Sequence, residues 1–277
     1  MSGELFVVGT PIGNLGDFSP RAVETLSNVD FIAAEDTRVT IKLLNHFNIK
    51  KQLVSYHEHN RAQKGPTIIE RLLNGESCAL VSDAGMPVIS DPGQDLVKLC
   101  RENGINVVSV PGPSAIITAL AISGLDVARF TFEGFLTGNK PKRREHLQEI
   151  VSEKKTMVFY EAPHKLAATL KDLYDTLGDR KIAIIKELTK IHENAEFTTL
   201  KEVYGKYDDV KLKGEYVIII EAKAQEETNE EEEISPVELA KYYVSLGDSI
   251  NEAAKKAAKE TSAKKSDIYK ALIAEIG

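Results

Sequence analysis

Five short apolar runs punctuate the first third of the chain, at residues 5–8, 31–34, 53–55, 78–82 and 106–110. Each is too short for a helix and is bounded by glycine, proline or polar residues, so each reads as a buried strand. Apolar residues recur at helical spacing between them, as in 67–73 and 95–102. Ser19 followed by Pro20 marks a helix start, an N-cap and then proline at the first helical position. Regular alternation of strands and helices predicts a parallel α/β sheet.

After Gly112 the pattern changes. Helical spacing covers 114–123, 143–151 and 166–177, and strand-like runs cover 130–135, 156–160, 181–187, 196–200 and 216–221. The later strands follow closely enough to pair antiparallel. Residues 223–233 are rich in Glu, Gln, Thr and Asn, with no apolar residue larger than alanine, and read as a solvated linker. Three short helices are expected at 237–246, 250–259 and 264–276. With Ala253, Ala257 and Ile268 turned inward, they resemble a helix-turn-helix; a helical cap on the body or on a second subunit fits the same spacing. The expected map is a parallel α/β domain over 1–112, a mixed-sheet α/β domain over 113–222, an acidic linker over 223–233 and a helical, helix-turn-helix-like module over 234–277.

Composition narrows the class. The chain has 277 residues, 42% hydrophobic and 28% charged, which is the make-up of a soluble globular protein of about two domains. No apolar run approaches the ~18 residues of a membrane span. The start is not patterned as a signal peptide, since Glu4 precedes a short apolar run. Cys78 and Cys100 each sit among apolar residues and read as buried thiols, in keeping with a reducing cytoplasm. Net charge is −7, yet residues 1–220 hold 27 Lys+Arg against 29 Asp+Glu. The acidity is concentrated in 221–233, with one basic and seven acidic residues, so the total does not exclude a polyanionic partner.

Common nucleotide and metal motifs are missing. The glycines of Gly9, Gly13 and Gly16 are spaced wrongly for a dinucleotide fingerprint, no phosphate-loop motif occurs, and His57-Glu58-His59 cannot place two ligands on one helix face. Nothing asks for a metal. What stands out instead is chemistry at the carboxyl ends of the predicted parallel strands, where open α/β sheets bind ligands. These ends carry Gly9–Asn14, Glu35-Asp36-Thr37-Arg38, Tyr56–Asn60, Ser82–Pro87 and Pro111–Ser114. Singly, Asp83 could cap a turn, Ser114 its helix, and Glu35 with Arg38 a surface pair.

Taken in order, the motifs resemble the rRNA branch of the tetrapyrrole methylase superfamily. The resemblance rests on Val8-Gly-Thr-Pro-Ile-Gly-Asn14, Ala34-Glu-Asp-Thr-Arg38, His57-Glu-His-Asn60, the run from Ser82 to Gly93, Pro111-Gly-Pro-Ser-Ala115, Phe159-Tyr-Glu-Ala-Pro-His164, Glu187-Leu-Thr-Lys190 and Lys213-Gly-Glu215. It spans essentially the whole chain. Lys186 and Lys165 stand where arginine is usual; each keeps the charge and loses the planar fork.

The resemblance implies a two-domain tetrapyrrole-methylase-like fold, with S-adenosylmethionine in the cleft between the domains. It implies a cytoplasmic homodimer that methylates the 2′-hydroxyl of a cytidine in small-subunit rRNA, free or within the 30S subunit. The cofactor residues it implies are Thr10, Pro11, Asp83, Gly85, Met86, Pro87, Ser114, Ala115, Tyr160, Lys213 and Gly214. Such a transfer is an in-line displacement that needs a base for the hydroxyl proton. The candidates are Glu35, Asp36, Glu161 and Glu187, with Arg38 or Lys186 as electrostatic partners, and the residues alone do not choose among them. Lys140, Lys142, Arg143 and Arg144 form a basic stretch on a loop entering a helix, suited to RNA phosphates or to an ordinary solvated helix start. Two other readings stand beside this one: a methyltransferase acting on a small tetrapyrrole, and a non-catalytic RNA-binding protein that responds to S-adenosylmethionine.

Overall fold

Residues 2–208, 210–223, 235–261 and 263–276 are described by a computed structural model. The first five strands are β1 (Glu4–Val8), β2 (Phe31–Ala34), β3 (Gln52–Ser55), β4 (Cys78–Val81) and β5 (Asn106–Val110). They form one sheet in the order β3-β2-β4-β1-β5, parallel throughout. Every residue of β2 and β4 is buried, which is why these strands read as unbroken apolar runs: helices cover both faces. Successive residues feed opposite layers. Phe31, Cys78 and Leu80 pack with Leu96 and Cys100 on one side, while Ile32, Ala79 and Val81 pack with Leu26 and Leu44 on the other. Cys78 and Cys100 are free, buried thiols.

The connecting helices are α1 (Pro20–Asn28), α2 (Thr37–His46), α3 (Arg61–Leu73) and α4 (Gln94–Glu102). Ser19 caps α1 as expected, accepting the Ala22 amide at 3.1 Å. Helix α3 starts six residues earlier than the pattern predicts and runs through Pro66. The Asn60 side chain bonds the Ser55 carbonyl and the His57 amide, and its backbone carbonyl accepts from Gln63 and Lys64. That start is firm enough to tolerate the one backbone bond that Pro66 cannot make.

Beyond β5 come α5 (Ala115–Ile122), β6 (Phe130–Phe135), α6 (Lys140–Ile150), β7 (Thr156–Glu161), α7 (Leu166–Leu177), β8 (Lys181–Lys186), β9 (Asn194–Thr199), the short α8 (Leu200–Val203) and β10 (Tyr216–Ile220). The second sheet has the order β6-β7-β10-β8-β9, with β6 parallel to β7 and the other pairings antiparallel. The mixed sheet predicted from strand spacing is therefore present. Central β10 is buried at every residue. Its Val217 and Ile219 pack with Ile116 and Leu120 of α5, and Ile12 of the first loop joins them.

Both sheets fall within one compact unit, Met1–Lys223, and a second unit spans Ala224–Gly277. The expected acidic linker lies, apart from Lys223, outside the described residues. The second unit contains α9 (Pro236–Ser245), α10 (Ile250–Thr261) and α11 (Lys265–Ile276) around a small core of Ala240, Ala254, Ala257, Ile268 and Leu272. Ala253, Ala257 and Ile268 are buried, as their spacing predicts. Among the described residues no helix is long and apolar enough to cross a membrane.

Candidate active site

Three strand ends converge because glycine lets their backbones touch. The loop after β1 forms an antiparallel bridge with the loop after β4: the Thr10 amide donates to the Gly85 carbonyl at 2.9 Å, and the Gly85 amide donates back at 3.1 Å. Gly85 has φ +81, a backbone conformation that favours glycine. The Gly9 and Gly112 backbones meet so closely that a Cβ on either would lie 2.7 Å from the other. The loops after β1, β4 and β5 therefore form one continuous surface. Thr10 is 1% exposed and its hydroxyl donates to the Ser82 carbonyl. Thr10 thus ties loops together, and its side chain is not available to a ligand; Pro87 is also buried.

A cluster of carboxyl groups lies beside this surface. The Asp83 carboxylate accepts the Asp36 amide at 3.1 Å, and the Asp83 amide points to Glu35 at 3.4 Å. Asp36 caps α2 and pairs with Arg38 at 2.6 Å, so the surface pair once open to Glu35 belongs to Asp36. The Arg38 guanidinium holds the Asp36 carboxyl down at about 2. Burial pushes Glu35 up, and its neighbours Asp83 and Asp36 add to this as like charges. Burial likewise pushes Asp83 up. A groove of about 320 Å³ runs from Asp83 between the first loop and α2.

The second sheet supplies the facing side. Tyr160 on β7 packs against Phe132 and Phe135 at ring separations of 5.0 and 5.5 Å, and burial raises its hydroxyl to about 12. Ser114 occupies the N-cap position of α5, yet its side chain makes no capping bond, so its hydroxyl is free for another partner. A Cβ on Gly13 would lie 2.4 Å from the Lys190 side chain, so the first loop also touches the turn after β8. Lys213 is exposed. Gly214 has φ +89 and lies under the Glu187 carboxyl, where a Cβ would sit 2.6 Å away.

Two of the base candidates are already committed. Glu187 accepts from Lys190 at 2.8 Å and from the Glu215 amide at 3.1 Å, and the Lys190 hydrogen bond pulls its carboxyl below the usual range. Its work is to hold the turn beside Gly214. Glu161 is 2% exposed, and its two oxygens accept from the Ala162 amide and the Thr169 hydroxyl. It faces the core and not the cleft, which removes it as a base. Lys186 ends β8, opposite Tyr216 of β10.

The basic stretch also divides. It lies within α6 itself, started by the Asn139 cap, and not on a loop before the helix. Lys140, Lys142 and Arg144 are exposed. Arg143 turns inward, with Nε 2.6 Å from Asp172 and Nη2 3.0 Å from the Thr169 hydroxyl. Its side chain is only 15% exposed, so it belongs to the internal network that also holds Glu161.

Asp91 is the residue that pattern reading missed. It looks like part of a plain Ser-Asp-Pro-Gly turn, but its loop bends back to bring it near Ser82, Asp83 and Glu35. Val88 at φ +81 and Ser90 at φ +65 hold left-handed backbone there, which is unusual for side-chain-bearing residues and costly for a β-branched one. Burial, with Glu35 and Asp83 as like charges, pushes the Asp91 carboxyl up to about 6. The one signal was the second Ser-Asp pair, Ser90-Asp91, eight residues after Ser82-Asp83.

The raised folded value means that folding takes up a proton between about pH 4 and 6. The stability tied to that proton is present below pH 4 and lost as pH rises through 6. Asp91→Asn is expected to remove this loss. Relative to the unmutated protein, the variant should gain about 1–2 kcal/mol more at pH 8 than at pH 4, after allowance for residual solvent screening. Thermal unfolding of both proteins at the two pH values checks this; equal differences would place Asp91 in ordinary solvent.

Comparison with known proteins gives a consistent picture. Residues 4–204 match the family described as Tetrapyrrole (Corrin/Porphyrin) Methylases. The ribosomal RNA small subunit methyltransferase I of Halalkalibacterium halodurans is 46% identical over 270 residues, covering 96% of this chain and 93% of that protein. The protein of the same name from Bacillus subtilis is 44% identical over 273 residues, covering 97% and 94%. A solved uroporphyrin-III C-methyl transferase from Thermus thermophilus, complexed with S-adenyl homocysteine, shares the fold with a TM-score of 0.57 and 16% identity, covering 79% of this chain and 97% of that one.

Proposed function

The chain belongs to the tetrapyrrole methylase family and, within it, to the ribosomal RNA small subunit methyltransferases I, and from this premise we propose that it transfers a methyl group from S-adenosylmethionine to the 2′-hydroxyl of a cytidine in small-subunit rRNA. The observation that carries the reading is how far each likeness extends. The family model stops at residue 204 and the uroporphyrin enzyme covers 79% of the chain, whereas the likeness to the Halalkalibacterium halodurans and Bacillus subtilis rRNA methyltransferases covers 96% and 97%. The C-terminal helices therefore belong to the length shared with these two rRNA enzymes. A small tetrapyrrole needs no such module.

The cleft suits the cofactor. Pro11, Gly85, Met86 and Ala115 offer mostly backbone, Tyr160 offers an aromatic edge, and Ser114 and Asp83 offer an uncommitted hydroxyl and a carboxylate. Lys213 and Gly214 would contribute from the turn before β10. S-adenosylmethionine, when bound, supplies a methyl group already activated by the sulfonium charge. Asp83→Ala is expected to weaken its binding by about 1–3 kcal/mol, the cost of a lost charge-assisted hydrogen bond. Calorimetry on a folded variant with unchanged affinity would take Asp83 out of the contact set.

The chain's own task is to hold the acceptor hydroxyl and remove its proton. Glu35 is the best-placed base. It is half-buried, burial raises its carboxyl above the ordinary range, and no cation is bonded to it among the described residues. A base nearer the working pH is more effective than one locked low by a guanidinium, as Asp36 is.

On the same reading, Lys140, Lys142 and Arg144 contact RNA phosphates. They crowd the N-terminal end of α6, the positive end of its dipole, with no acid in the first turn. Cations are unfavourable there unless an anion joins them. Exposed Ile117 and Phe130 offer apolar side chains to a second copy, in keeping with a homodimer, and the two buried free thiols accord with a cytoplasmic setting.

The test is transfer of a labelled methyl group to three acceptors: small ribosomal subunits lacking the modification, naked small-subunit rRNA and uroporphyrinogen. Label recovered as 2′-O-methylcytidine in either RNA sample supports the proposal and identifies the acceptor form. Label in the tetrapyrrole alone, or in none, overturns it.

A further inference from the structure

We propose that the groove between the first loop and α2 receives a single nucleotide turned out of the RNA, and that the cations of α2 and its following turn hold the adjoining phosphates. The proposal rests on the rRNA reading above and names where the acceptor sits.

The groove's chemistry is that of a base pocket. Pro11 and Leu15 line one side and Val39 and Leu43 the other, and Leu15 and Val39 remain 42% and 39% exposed. About 320 Å³ lies at the small end of ligand pockets, suited to one nucleotide and too small for a helix or a peptide segment. Asp83 lines the groove and also borders the cofactor cleft, with Glu35 beside it at the amide of Asp83. A ribose seated here brings its hydroxyl to those carboxyls. Thr40 lines the groove too; it is 3% exposed and its hydroxyl has no partner. A buried hydroxyl left unpaired carries a cost that a ligand donor or acceptor would relieve.

Charge points to the same occupant. Residues 37–51 contain Arg38, Lys42, Lys50 and Lys51 and no Asp or Glu, in a chain of net charge −7. Arg38, Lys42 and His46 recur every fourth residue, which aligns them along one side of α2. Arg38 is occupied by Asp36, but among the described residues no carboxylate pairs with Lys42 or Lys50. Lys42 lines the apolar slot and Lys50 follows four residues beyond the end of α2; unpaired lysines in these places fit a phosphate chain with its base inserted. Enzymes that modify a nucleotide inside folded nucleic acid turn the target out into such a pocket, stacking its base on apolar or aromatic side chains.

The experiment uses the full chain with small ribosomal subunits or naked small-subunit rRNA, whichever accepts methyl groups. Three variants are compared: the double change Lys42→Glu with Lys50→Glu, the double change to arginine at the same sites, and Val39→Glu in the apolar wall. The glutamate pair and Val39→Glu should each raise KM for RNA at least tenfold and leave S-adenosylmethionine affinity within twofold. The arginine pair should restore most of the loss. The salt dependence of RNA binding should flatten by about one to two log–log units in the glutamate pair. Photocrosslinking with 4-thiouridine-substituted rRNA should mark residues in 37–46. If RNA is methylated with unchanged KM by all three variants, and crosslinks fall only elsewhere, the groove is not the acceptor pocket while the rRNA reading stands. If the unmutated chain methylates no RNA, the rRNA reading falls and takes this one with it.

Discussion

Gly112→Ala should cost about 3 kcal/mol of stability and at least tenfold in S-adenosylmethionine affinity. The added Cβ would lie 2.7 Å from the Gly9 carbonyl oxygen, with the Gly9 carbon and Cα at 2.8 Å. All three are backbone atoms at the end of β1, so no rotamer change relieves the clash. Either the loop after β5 moves away or the Thr10–Gly85 bridge on the other side of Gly9 gives way. Both routes separate the strand ends proposed to hold the cofactor, and so stability and affinity should fall together. Gly104→Ala is the contrast. It has φ +68 but nothing within 4 Å of its Cβ position, so it should lose only the modest cost of a left-handed alanine, about 1–2 kcal/mol, and keep its affinity. Urea unfolding and calorimetry on both variants decide the matter. A Gly112→Ala protein with unaltered affinity would show that the loop contact is dispensable to the site.

Arg143→Ala should lower the unfolding midpoint by about 5–10 °C, corresponding to roughly 2–3 kcal/mol in a chain of this size. The Thr169 hydroxyl donates to buried Glu161 and accepts from Arg143, which also pairs with Asp172. Removing the guanidinium leaves the Glu161 charge, 2% exposed, with no cation in its network. The expected cost sits below that of a fully buried pair because Asp172 is 40% exposed. Arg144→Ala, one residue on and exposed, should leave the midpoint within about 1 °C and weaken RNA binding instead, with a flatter salt dependence. Adding Glu161→Gln to the Arg143 variant should recover part of the loss, since a neutral amide needs no counter-charge. Equal midpoints for the two single arginine variants would return Arg143 to the RNA-facing set.

The difference between these adjacent arginines shows how far the chain can be read without its fold. Alternating apolar runs and helical spacing were enough to predict a parallel sheet followed by a mixed one, because burial on both faces forces unbroken apolar strands and short connections force antiparallel pairing. Clustered glycine, proline and carboxylate pointed to five strand ends, where parallel sheets bind ligands, and the structure brings three of them, Gly9–Asn14, Ser82–Pro87 and Pro111–Ser114, into contact. Local composition could not say which way each side chain faces. One residue along α6 is a rotation of roughly 100°, which carries Arg143 onto Thr169 and Asp172 and leaves Arg144 in solvent. Glu161 ends β7 and Glu35 directly follows β2, yet one is sealed by Thr169 and the other opens beside Asp83. Asp91 is raised because its loop folds back into a half-buried position, with Glu35, 56 residues earlier in the chain, adding a like charge. Residue types and their spacing determined the elements and which strand ends carry glycine, proline and carboxylate together. Which carboxyls are free, which are neutralised and which cations stay unpaired was decided by contacts between distant segments, because solvation and charge depend on neighbours in space and not in sequence.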